Sequence, residues 1–300
     1  MTTHDVFAPT ALAGGRVLVT GGGSGLGRAI AAALAAHGAE VHLWGRRRAV
    51  LEEAAAEIAA AGGHAFVQTV DVRDADAVEE AMDTIWGASG PLSGVVNSAA
   101  ANFLAPTETL SPRAFEAVTS TVMNGSFFTT TSAGRRWIAG GTPGAVVSLL
   151  TSWVWTGSAF TVPSAMAKAA VHAMTMSLAV EWARHGIRLN AIAPGPVPTE
   201  FAWDVLDPGD GTARVPVATD ASGVPAGRHG TVEEVANLTL FLLSDACTYL
   251  TGDTIAMDGG QRLAGSGTFA GLTAMGDQDW AAARDRAKQA AAASKAERRV

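Results

Sequence analysis

The sequence predicts a single α/β domain built on a doubly wound parallel sheet. Short apolar runs rich in β-branched residues alternate along the chain with longer helical stretches, which is the pattern of parallel strands joined by right-handed helical crossovers. No internal repeat is apparent, and no linker rich in proline and glycine divides the 300 residues. We therefore expect one domain over residues 14–260, between an N-terminal extension (1–13) and a C-terminal tail (261–300).

The composition argues against several classes of function. A formal net charge of −7 argues against binding to nucleic acid. The single cysteine, Cys247, excludes an internal disulfide framework and a cysteine-based zinc cage, and it suits a reducing compartment. The N-terminal residues lack a leader pattern and the Ala-rich runs are too short to span a bilayer. We expect a cytoplasmic protein without a metal and without a nucleic-acid or membrane partner.

The first predicted strand runs directly into a glycine-rich loop. Arg16–Thr20 (RVLVT) is apolar and β-branched, and GGGSGLG follows it at the start of a helix predicted over residues 26–37. Glycines let a backbone approach a pyrophosphate, and the N–H groups at a helix N-terminus favour the anion. A flexible turn is the alternative. The phosphate-binding residues predicted here are Gly21, Gly23, Ser24, Gly25, Leu26 and Gly27.

The residues after the second predicted strand (40–44) bear on the identity of the dinucleotide. A cofactor with an unmodified ribose 2′-hydroxyl would need an acidic side chain near the end of this strand, whereas a 2′-phosphate would need a cation. The sequence has Gly45-Arg46-Arg47-Arg48 and no acid there. We predict NADPH, with Arg46 as the main contact, because a guanidinium stacks on adenine and bonds phosphate. Arg47 and Arg48 are expected to begin a solvated helix (48–61).

The remaining elements continue the alternation. Strands are predicted over residues 64–70, 95–97, 145–150, 187–193 and 254–257, with helices over residues 74–86, 111–139, 164–185 and 231–244. Asp74 is expected to cap the first of these helices, and Thr231 with Glu234 to form a capping box on the last. Residues 201–229 are predicted to be a substrate-covering loop, and the tail from Ala281 to be a frayed helix or disordered.

These motifs resemble those of the short-chain dehydrogenases/reductases, which have a Rossmann-type fold. The string TGGGSGLG is similar to their TGxxxGxG loop, and residues 194–199 (PGPVPT) are similar to their PGxxxT loop. In this family a tyrosine usually stands four residues before a catalytic lysine; here Ser164 precedes Lys168, and the single tyrosine, Tyr249, lies far downstream. The further cofactor-binding residues that the resemblance implies are Asp71, Val72, Asn97, Lys168, Pro194, Gly195, Val197 and Thr199.

A narrower resemblance accounts for the missing tyrosine. The segments AANFLAPTETLSP (100–112), TGSAFTVPSAMAKAAVHAM (156–174) and GRHGTVEEVANLTLFLLSD (227–245) are similar to those of the 2,4-dienoyl-CoA reductases, whose helix carries SxxxK. The strings LDP (206–208) and SGTF (266–269) are also similar to segments of that family. The catalytic residues implied by this resemblance are Lys168, Ser164 and Asn102, and the wider family keeps an asparagine of its proton relay at the position of Asn124. The substrate contacts assigned with it are Arg73, Phe103 and Ser111.

Two positions depart from that family. The tyrosine that the family pairs with its asparagine falls on Trp153, whose indole N–H donates a hydrogen bond but does not ionise usefully. Val205 stands where the family carries an arginine for the CoA moiety. Trp153 is a candidate catalytic donor, as is Thr151 at the usual catalytic serine position. Alternatively, Trp153 and Trp155 wall an apolar acyl pocket, and Ser164 is a simple helix N-cap.

The resemblance implies an NADPH-dependent homotetramer that reduces a 2,4-dienoyl-CoA to a 3-enoyl-CoA in fatty-acid β-oxidation. Hydride addition to the conjugated thioester sends negative charge to the thioester oxygen as a dienolate, which needs hydrogen-bond donors more than it needs a strong acid. The departures at Trp153 and Val205 leave two alternatives open: a carbonyl or alcohol oxidoreductase acting on a non-CoA substrate, and a protein that binds NADP(H) without catalysis. The fold alone does not choose among them.

Overall fold

The computed structural model describes residues 7–199, 221–264, 272 and 275–297. Within these ranges the strands are β1 (Arg16–Thr20), β2 (Glu40–Gly45), β3 (His64–Thr69), β4 (Gly94–Asn97), β5 (Gly144–Leu149), β6 (Ile187–Pro194) and β7 (Thr254–Met257). They form one parallel sheet in the order β3-β2-β1-β4-β5-β6-β7. The predicted doubly wound parallel sheet is confirmed.

Helices connect the strands and follow the last of them. They are α1 (Gly25–Ala36), α2 (Arg48–Ala60), α3 (Ala75–Ala88), α4 (Pro112–Thr119), α5 (Gly125–Gly140), α6 (Trp153–Thr156), α7 (Val162–Trp182), α8 (Val232–Leu243), α9 (Gln261–Ala264) and α10 (Asp277–Glu297). The short helix α6 was not predicted. Most of the other boundaries agree closely with the prediction, because glycines and capping side chains mark them in the sequence.

Alternate residues of each strand face opposite sides of the sheet, and helices cover both sides. Val17 and Val19 of β1 pack with α1, α2 and α8 in one buried apolar cluster. Leu18, between them, packs with α3, α5 and α7 in a second cluster on the other face. Burial on both faces is why the strands are continuous apolar runs in the sequence rather than alternating ones.

The two strands at the centre of the sheet, β1 and β4, position the functional cleft. The strand order reverses between them, since β1 pairs with β2 on one side and with β4 on the other. Such a reversal opens a crevice at the carboxyl ends of the strands. There the hydroxyl oxygen of Thr20 accepts hydrogen bonds from the N–H groups of Ser98 and Ala99, each at 3.1 Å. These bonds fix the position of the residues that follow β4 relative to the end of β1.

Two predicted helix caps are confirmed and one is wrong. Asp74 caps α3 by accepting two backbone N–H bonds. Thr231 and Glu234 form the predicted capping box on α8. Ser164 is not an N-cap, because α7 begins earlier, at Val162, with a proline in its first turn. A proline is favoured there since the first N–H groups of a helix have no intrahelical partner.

The helix predicted over residues 111–139 is interrupted by a π-helical segment, Ser120–Asn124, between α4 and α5. Three consecutive hydroxyl side chains donate to carbonyl oxygens four residues earlier: those of Thr119, Ser120 and Thr121. Such bonds compete with the backbone ladder and loosen the helix. A π turn accommodates one additional residue, and such turns occur mostly at functional sites.

The C-terminal tail forms a helix, α10, which begins four residues before the predicted start and continues through Glu297. Its first turn is not frayed: Trp280 is 6% exposed and forms a buried pair with Leu272. Leu104, Trp153 and Phe160 pack against this pair. Three aromatic side chains, those of Trp153, Phe160 and Trp280, meet at this turn. The residues predicted to be a frayed helix or disordered begin after it, at Ala281, and they lie in α10 as far as Glu297.

Some predictions fall outside the described residues. These are most of the substrate-covering loop, including Val205 and the LDP string, and the tail string at residues 266–269. No helix within the described ranges is long and apolar enough to cross a membrane. The same ranges contain no group of His, Cys, Asp and Glu side chains placed to hold a metal ion.

Candidate active site

A cleft of about 500 Å³ opens at the carboxyl ends of the central strands. The glycine loop and Arg46 form one end of the cleft, which suits a dinucleotide. The predicted site residues that line it are Gly21, Gly23, Ser24, Gly25, Leu26, Gly27, Arg46, Asp71, Val72, Asn102, Thr151, Trp153, Ser164, Lys168, Pro194, Gly195, Val197 and Thr199. The fold therefore brings into one cleft side chains that the sequence spreads from residue 21 to residue 199.

The glycine loop requires glycine at two positions because of close backbone contacts. A Cβ on Gly27 would overlap the carbonyl oxygen of Gly21, so α1 could not approach the end of β1 this closely. Gly21 has φ of +68°, and a Cβ there would lie 3.0 Å from the Cα of Ala99. A left-handed φ and a tight backbone contact both favour glycine. The two glycines thus let α1 and the loop after β4 approach the end of β1 closely.

The N-terminus of α1 lies at the cleft without a protein anion to satisfy it. Its N-cap residue, Ser24, makes no side-chain capping bond, and no acidic residue occupies the first turn. Ser24 Oγ instead accepts a hydrogen bond from Arg47 Nη2 at 3.3 Å. The N–H groups and the dipole of a helix N-terminus bind phosphate well. The pyrophosphate of a dinucleotide therefore fits this end of the cleft.

The three arginines after β2 have different environments. Arg46 is exposed and Arg47 is half-buried, and both line the cleft. Arg48 points away, in an exposed ion pair with Glu52 at 2.7 Å. The prediction of a solvated role is therefore confirmed for Arg48 and wrong for Arg47, because the turn into α2 directs Arg47 back toward Ser24.

Lys168 is a buried amine at the other end of the cleft. Its side chain is enclosed by the fold, and Nζ donates a hydrogen bond to the carbonyl oxygen of Leu149, at the end of β5. Burial disfavours the charged form and lowers the pKa of Lys168 to about 8. An ammonium has three donors, and one of them is used by Leu149. The others are available to a ligand in the cleft.

Two hydroxyl groups lie at the same end of the cleft. Ser164 is 3% exposed and precedes Lys168 by four residues on α7, so both side chains share one helix face. Thr151 Oγ1 is buried and has no hydrogen-bond partner among the described residues. An unsatisfied buried hydroxyl costs roughly 1–3 kcal/mol. A ligand oxygen bound here would remove that cost.

Asn102 is oriented by its own backbone. Its Oδ1 accepts a hydrogen bond from the N–H of Phe103 at 2.9 Å. This contact places Oδ1 of the side-chain amide next to the backbone, and the Nδ2 amide group therefore points away from it. Since Asn102 lines the cleft, its Nδ2 amide group can donate a hydrogen bond to an oxygen bound there.

Trp153 contacts both the cleft and the C-terminal tail. It lines the cleft on α6 and packs against the Leu272–Trp280 pair. This apolar surrounding supports the interpretation of Trp153 as a pocket wall. The chain's single tyrosine, Tyr249, is fully exposed and does not line the cleft. No phenol is therefore available at the cleft as a proton donor.

Five predicted site residues do not line the cleft. Asn97 is buried behind it, where its Nδ2 donates to Thr130 Oγ1 at 2.9 Å and to Ser148 Oγ at 3.2 Å. Ser111 is exposed and caps α4. Asn124 ends the π-helical segment. The contacts of Asn97 link β4 to α5 and β5, which is a supporting role.

The other two of these residues, Arg73 and Phe103, contact residues that do belong to the site. Arg73 pairs with Asp71 at 2.6 Å, and this hydrogen-bonded guanidinium lowers the pKa of the Asp71 carboxyl. Phe103 packs against Val118 and Val122 below the Asn102 turn. Both hold a cleft residue in place from outside the cleft.

Sequence reasoning missed several residues of the cleft wall. They are Gly45, Arg47, Val50, Leu51, Val70, Ala99, Ala100, Thr121, Leu149 and Leu150. Val50 and Leu51 lie on the first turn of α2, directly after the arginines, so their apolar character could have indicated a surface for the adenine ring. Thr121 could not have been found in this way, because its place depends on the π-helical segment.

The fold and the cleft together define a dinucleotide-dependent oxidoreductase. A family model described as enoyl-(acyl carrier protein) reductase matches residues 21–262. The chain belongs to the short-chain dehydrogenases/reductases. This fold implies a NAD(P) cofactor, and the uncapped helix N-terminus described above fits it.

Three curated relatives are similar over most of their length. An uncharacterized oxidoreductase of Caenorhabditis elegans is 44% identical, covering 85% of this chain and 81% of the relative. A probable 2,4-dienoyl-CoA reductase of Bacillus subtilis, (2E)-enoyl-CoA-producing, is 40% identical, with 82% and 96% covered. Probable 2,4-dienoyl-CoA reductase 3 of Caenorhabditis elegans, (3E)-enoyl-CoA-producing, is 40% identical, with 87% and 84% covered.

Solved structures agree with the family assignment. A short chain dehydrogenase from Bacillus anthracis is 37% identical with a TM-score of 0.74, covering 85% of this chain and 98% of that one. A putative NAD(P) dependent gluconate 5-dehydrogenase from Beutenbergia cavernae, with bound NADP at low occupancy, is 34% identical with a TM-score of 0.77, covering 85% and 99%.

Proposed function

We propose that this protein reduces a 2,4-dienoyl-CoA, or a similar conjugated thioester, to a 3-enoyl product with NADPH. One observation carries the proposal: the cleft combines a lysine, a serine and an asparagine with no tyrosine, and the single tyrosine of the chain is exposed elsewhere. Reduction of a ketone produces an alkoxide that requires an acid at once. Reduction of a conjugated thioester produces a dienolate, which requires hydrogen-bond donors instead.

The protein's part in the reaction is to bind, orient and stabilise charge. When bound, NADPH supplies the hydride. The Nδ2 amide group of Asn102 donates a hydrogen bond to the thioester oxygen as negative charge develops there. The hydroxyl of Thr151 or the indole N–H of Trp153 is a second donor. One such donor stabilises a developing oxyanion by about 3–4 kcal/mol. Lys168 holds the nicotinamide ribose, and its positive charge favours the anionic intermediate. Water then protonates carbon.

The pH dependence of the reaction provides a test of Lys168. We expect kcat/KM to fall about tenfold for each pH unit above pH 8, because the pKa of Lys168 is lowered to about 8 and the cation is lost as pH rises through that value. A Lys168→Arg variant stays charged over this range, so its residual activity should not show this decrease. The same alkaline decrease in both proteins would assign it to another group.

The preference for NADPH rests on Arg46, with Arg47 beside it. We expect Arg46→Ala to raise the Kd for NADPH about tenfold or more and to raise the Kd for NADH much less, since a hydrogen bond to a charged group contributes about 1.5–3 kcal/mol and NADH loses only the contact with adenine. Arg48→Ala is the matched control, because Arg48 pairs with Glu52 outside the cleft. Equal weakening of both dinucleotides in Arg46→Ala would contradict a contact to the 2′-phosphate.

A substrate panel tests the reaction itself. Purified protein should consume NADPH with 2,4-hexadienoyl-CoA and 2,4-decadienoyl-CoA and be much less active with unconjugated ketones. NMR of the product, which locates the double bond, separates a 3-enoyl from a 2-enoyl thioester, the two outcomes named for the relatives. No turnover of any conjugated thioester would overturn the proposal.

A second candidate function is oxidoreduction of a carbonyl or alcohol without CoA. It is supported by Trp153 in the place of the dienoyl-CoA reductase tyrosine and by a gluconate 5-dehydrogenase of Gluconobacter oxydans that is 33% identical over 87% of this chain. Turnover of polyols or ketones but not thioesters in the same panel would favour it. Binding of NADP(H) without turnover of any substrate, in both wild type and Lys168→Ala, would indicate a non-catalytic protein.

We also propose that the protein is a cytoplasmic homotetramer acting in fatty-acid β-oxidation. Large apolar side chains that are exposed on α4, the π-helical segment, α5 and α7 support the assembly, since burial against other copies would remove them from water. They are Phe115, Met123, Phe127, Met166, Met176 and Val180. Light scattering coupled to gel filtration tests the stoichiometry.

A further inference from the structure

The C-terminal tail packs against two segments that carry candidate site residues. The buried pair Leu272 and Trp280 is contacted by Leu104, which follows Asn102 by two residues, and by Trp153, which lines the cleft. Three separate parts of the chain thus meet in one apolar cluster beside the substrate end of the cleft. We refer to Leu104, Trp153, Phe160, Leu272, Met275 and Trp280 as the tail cluster.

Phe160, a member of the tail cluster, has a strained backbone conformation. Its φ is +63°, and it is the one non-glycine residue with positive φ among the residues that the structure describes. A bulky side chain disfavours the left-handed region, because Cβ approaches the following carbonyl oxygen too closely there. Its carbonyl oxygen accepts the N–H of Ala105 at 3.0 Å, and its ring lies 4.5 Å from that of Trp280. Strained conformations persist where the surroundings over-determine them, often at functional sites.

The hydrogen bond between Ala105 and Phe160 has a direct consequence for the site. It joins the segment that follows Asn102 to the segment between Trp153 and Ser164. Asn102, Trp153 and Ser164 all line the cleft. The ring of Trp280 covers this junction from the tail. Loss of the ring would leave the strain at Phe160 uncompensated, and both segments would be less constrained.

We infer that Trp280 is a positioning residue: through Phe160 and Trp153 it fixes the apolar wall of the substrate end, and it thereby selects an aliphatic acyl chain and limits its length. The choice of an acyl chain rests on the proposed function. The positioning role does not, because the contacts are present whatever the substrate is.

The test compares Trp280→Ala and Trp280→Phe with wild type. We expect Trp280→Ala to change the kcat/KM ratio of 2,4-decadienoyl-CoA to 2,4-hexadienoyl-CoA by about fivefold or more in favour of the longer chain, a range typical of altered apolar pockets. KM should account for most of the change, and the Kd for NADPH should remain that of wild type. Trp280→Phe, which keeps an aromatic contact with Phe160, should restore the wild-type ratio. Gln278→Ala, exposed on the same helix turn, is the control.

Hydrogen exchange separates this inference from the proposed function. Amides of residues 101–105 and 151–161 should exchange faster in Trp280→Ala, while those of the glycine loop should not change. If wild type reduces no thioester but this exchange pattern is observed, the proposed substrate is wrong and the positioning role stands. Unchanged exchange in both segments, or an unchanged ratio of chain-length preference in an enzyme that reduces thioesters, would overturn the inference.

Discussion

Lys168→Met should reduce kcat/KM for the conjugated thioester about a thousandfold while leaving the fold at least as stable. The variant removes the cation near the developing negative charge and the donors to the ribose, a combined loss of about 4 kcal/mol. Methionine occupies a similar volume without a charge to desolvate, and burial is what lowers the pKa of this amine. Replacing a buried charge with an apolar side chain of similar size is often neutral or stabilising.

The opposite changes in activity and stability distinguish a functional lysine from a structural one. The measurements are steady-state kinetics and thermal unfolding of wild type and Lys168→Met. Lys288→Ala provides the control, since Lys288 is exposed on α10 and pairs with Asp285 at 3.5 Å. A lowered Tm together with near-normal turnover would mean that Lys168 supports the fold and not the reaction.

Asn102→Asp should reduce kcat/KM about a thousandfold, and Asn102→Ala about a hundredfold. The aspartate keeps an acceptor for the N–H of Phe103, so the turn is retained. It replaces the amide N–H donor with a negative charge beside the thioester oxygen. The loss of one oxyanion donor costs about 3–4 kcal/mol, and repulsion between the two negative charges adds to that cost. Alanine removes the donor without adding charge.

Cofactor binding serves as the internal reference for this pair of variants. The Kd for NADPH, followed by fluorescence, should be the same in wild type, Asn102→Asp and Asn102→Ala. Asn237→Asp, on α8 and outside the cleft lining, should retain full activity. If alanine reduced activity more than aspartate, Asn102 would act by shaping the turn and not by donating a hydrogen bond.

The sheet and the cofactor end of the cleft were predictable because their signals are local. The glycine loop follows β1 directly, and the arginines follow β2 directly, so strand ends alone place them at one edge of the sheet. Thr231 and Glu234 likewise reveal a helix start through residues that are neighbours in sequence. Only the direction of Arg47 required the geometry of the turn.

The substrate end was less predictable because its geometry depends on distant contacts. Nothing near Trp280 in the sequence indicates that it meets Phe160, which is 120 residues earlier. The orientation of the Asn102 amide depends on a turn that has no simple sequence signature. The resemblance to a known family suggested which residues matter there, but not what holds them in place.

The π-helical segment also affects how the length of this chain can change during evolution. One residue of an α-helix turns the following residues by about 100°, so a deletion within the first turns of α5 would rotate the rest of that helix. A π turn holds one residue more than an α turn, so deleting one residue within Ser120–Asn124 would leave a continuous α-helix and keep the rotation of α5 relative to α4. Gly134, where any Cβ would overlap the ring of Trp182, would then still face that ring. Descendants of this gene can therefore lose a residue from the π-helical segment far more readily than from α5.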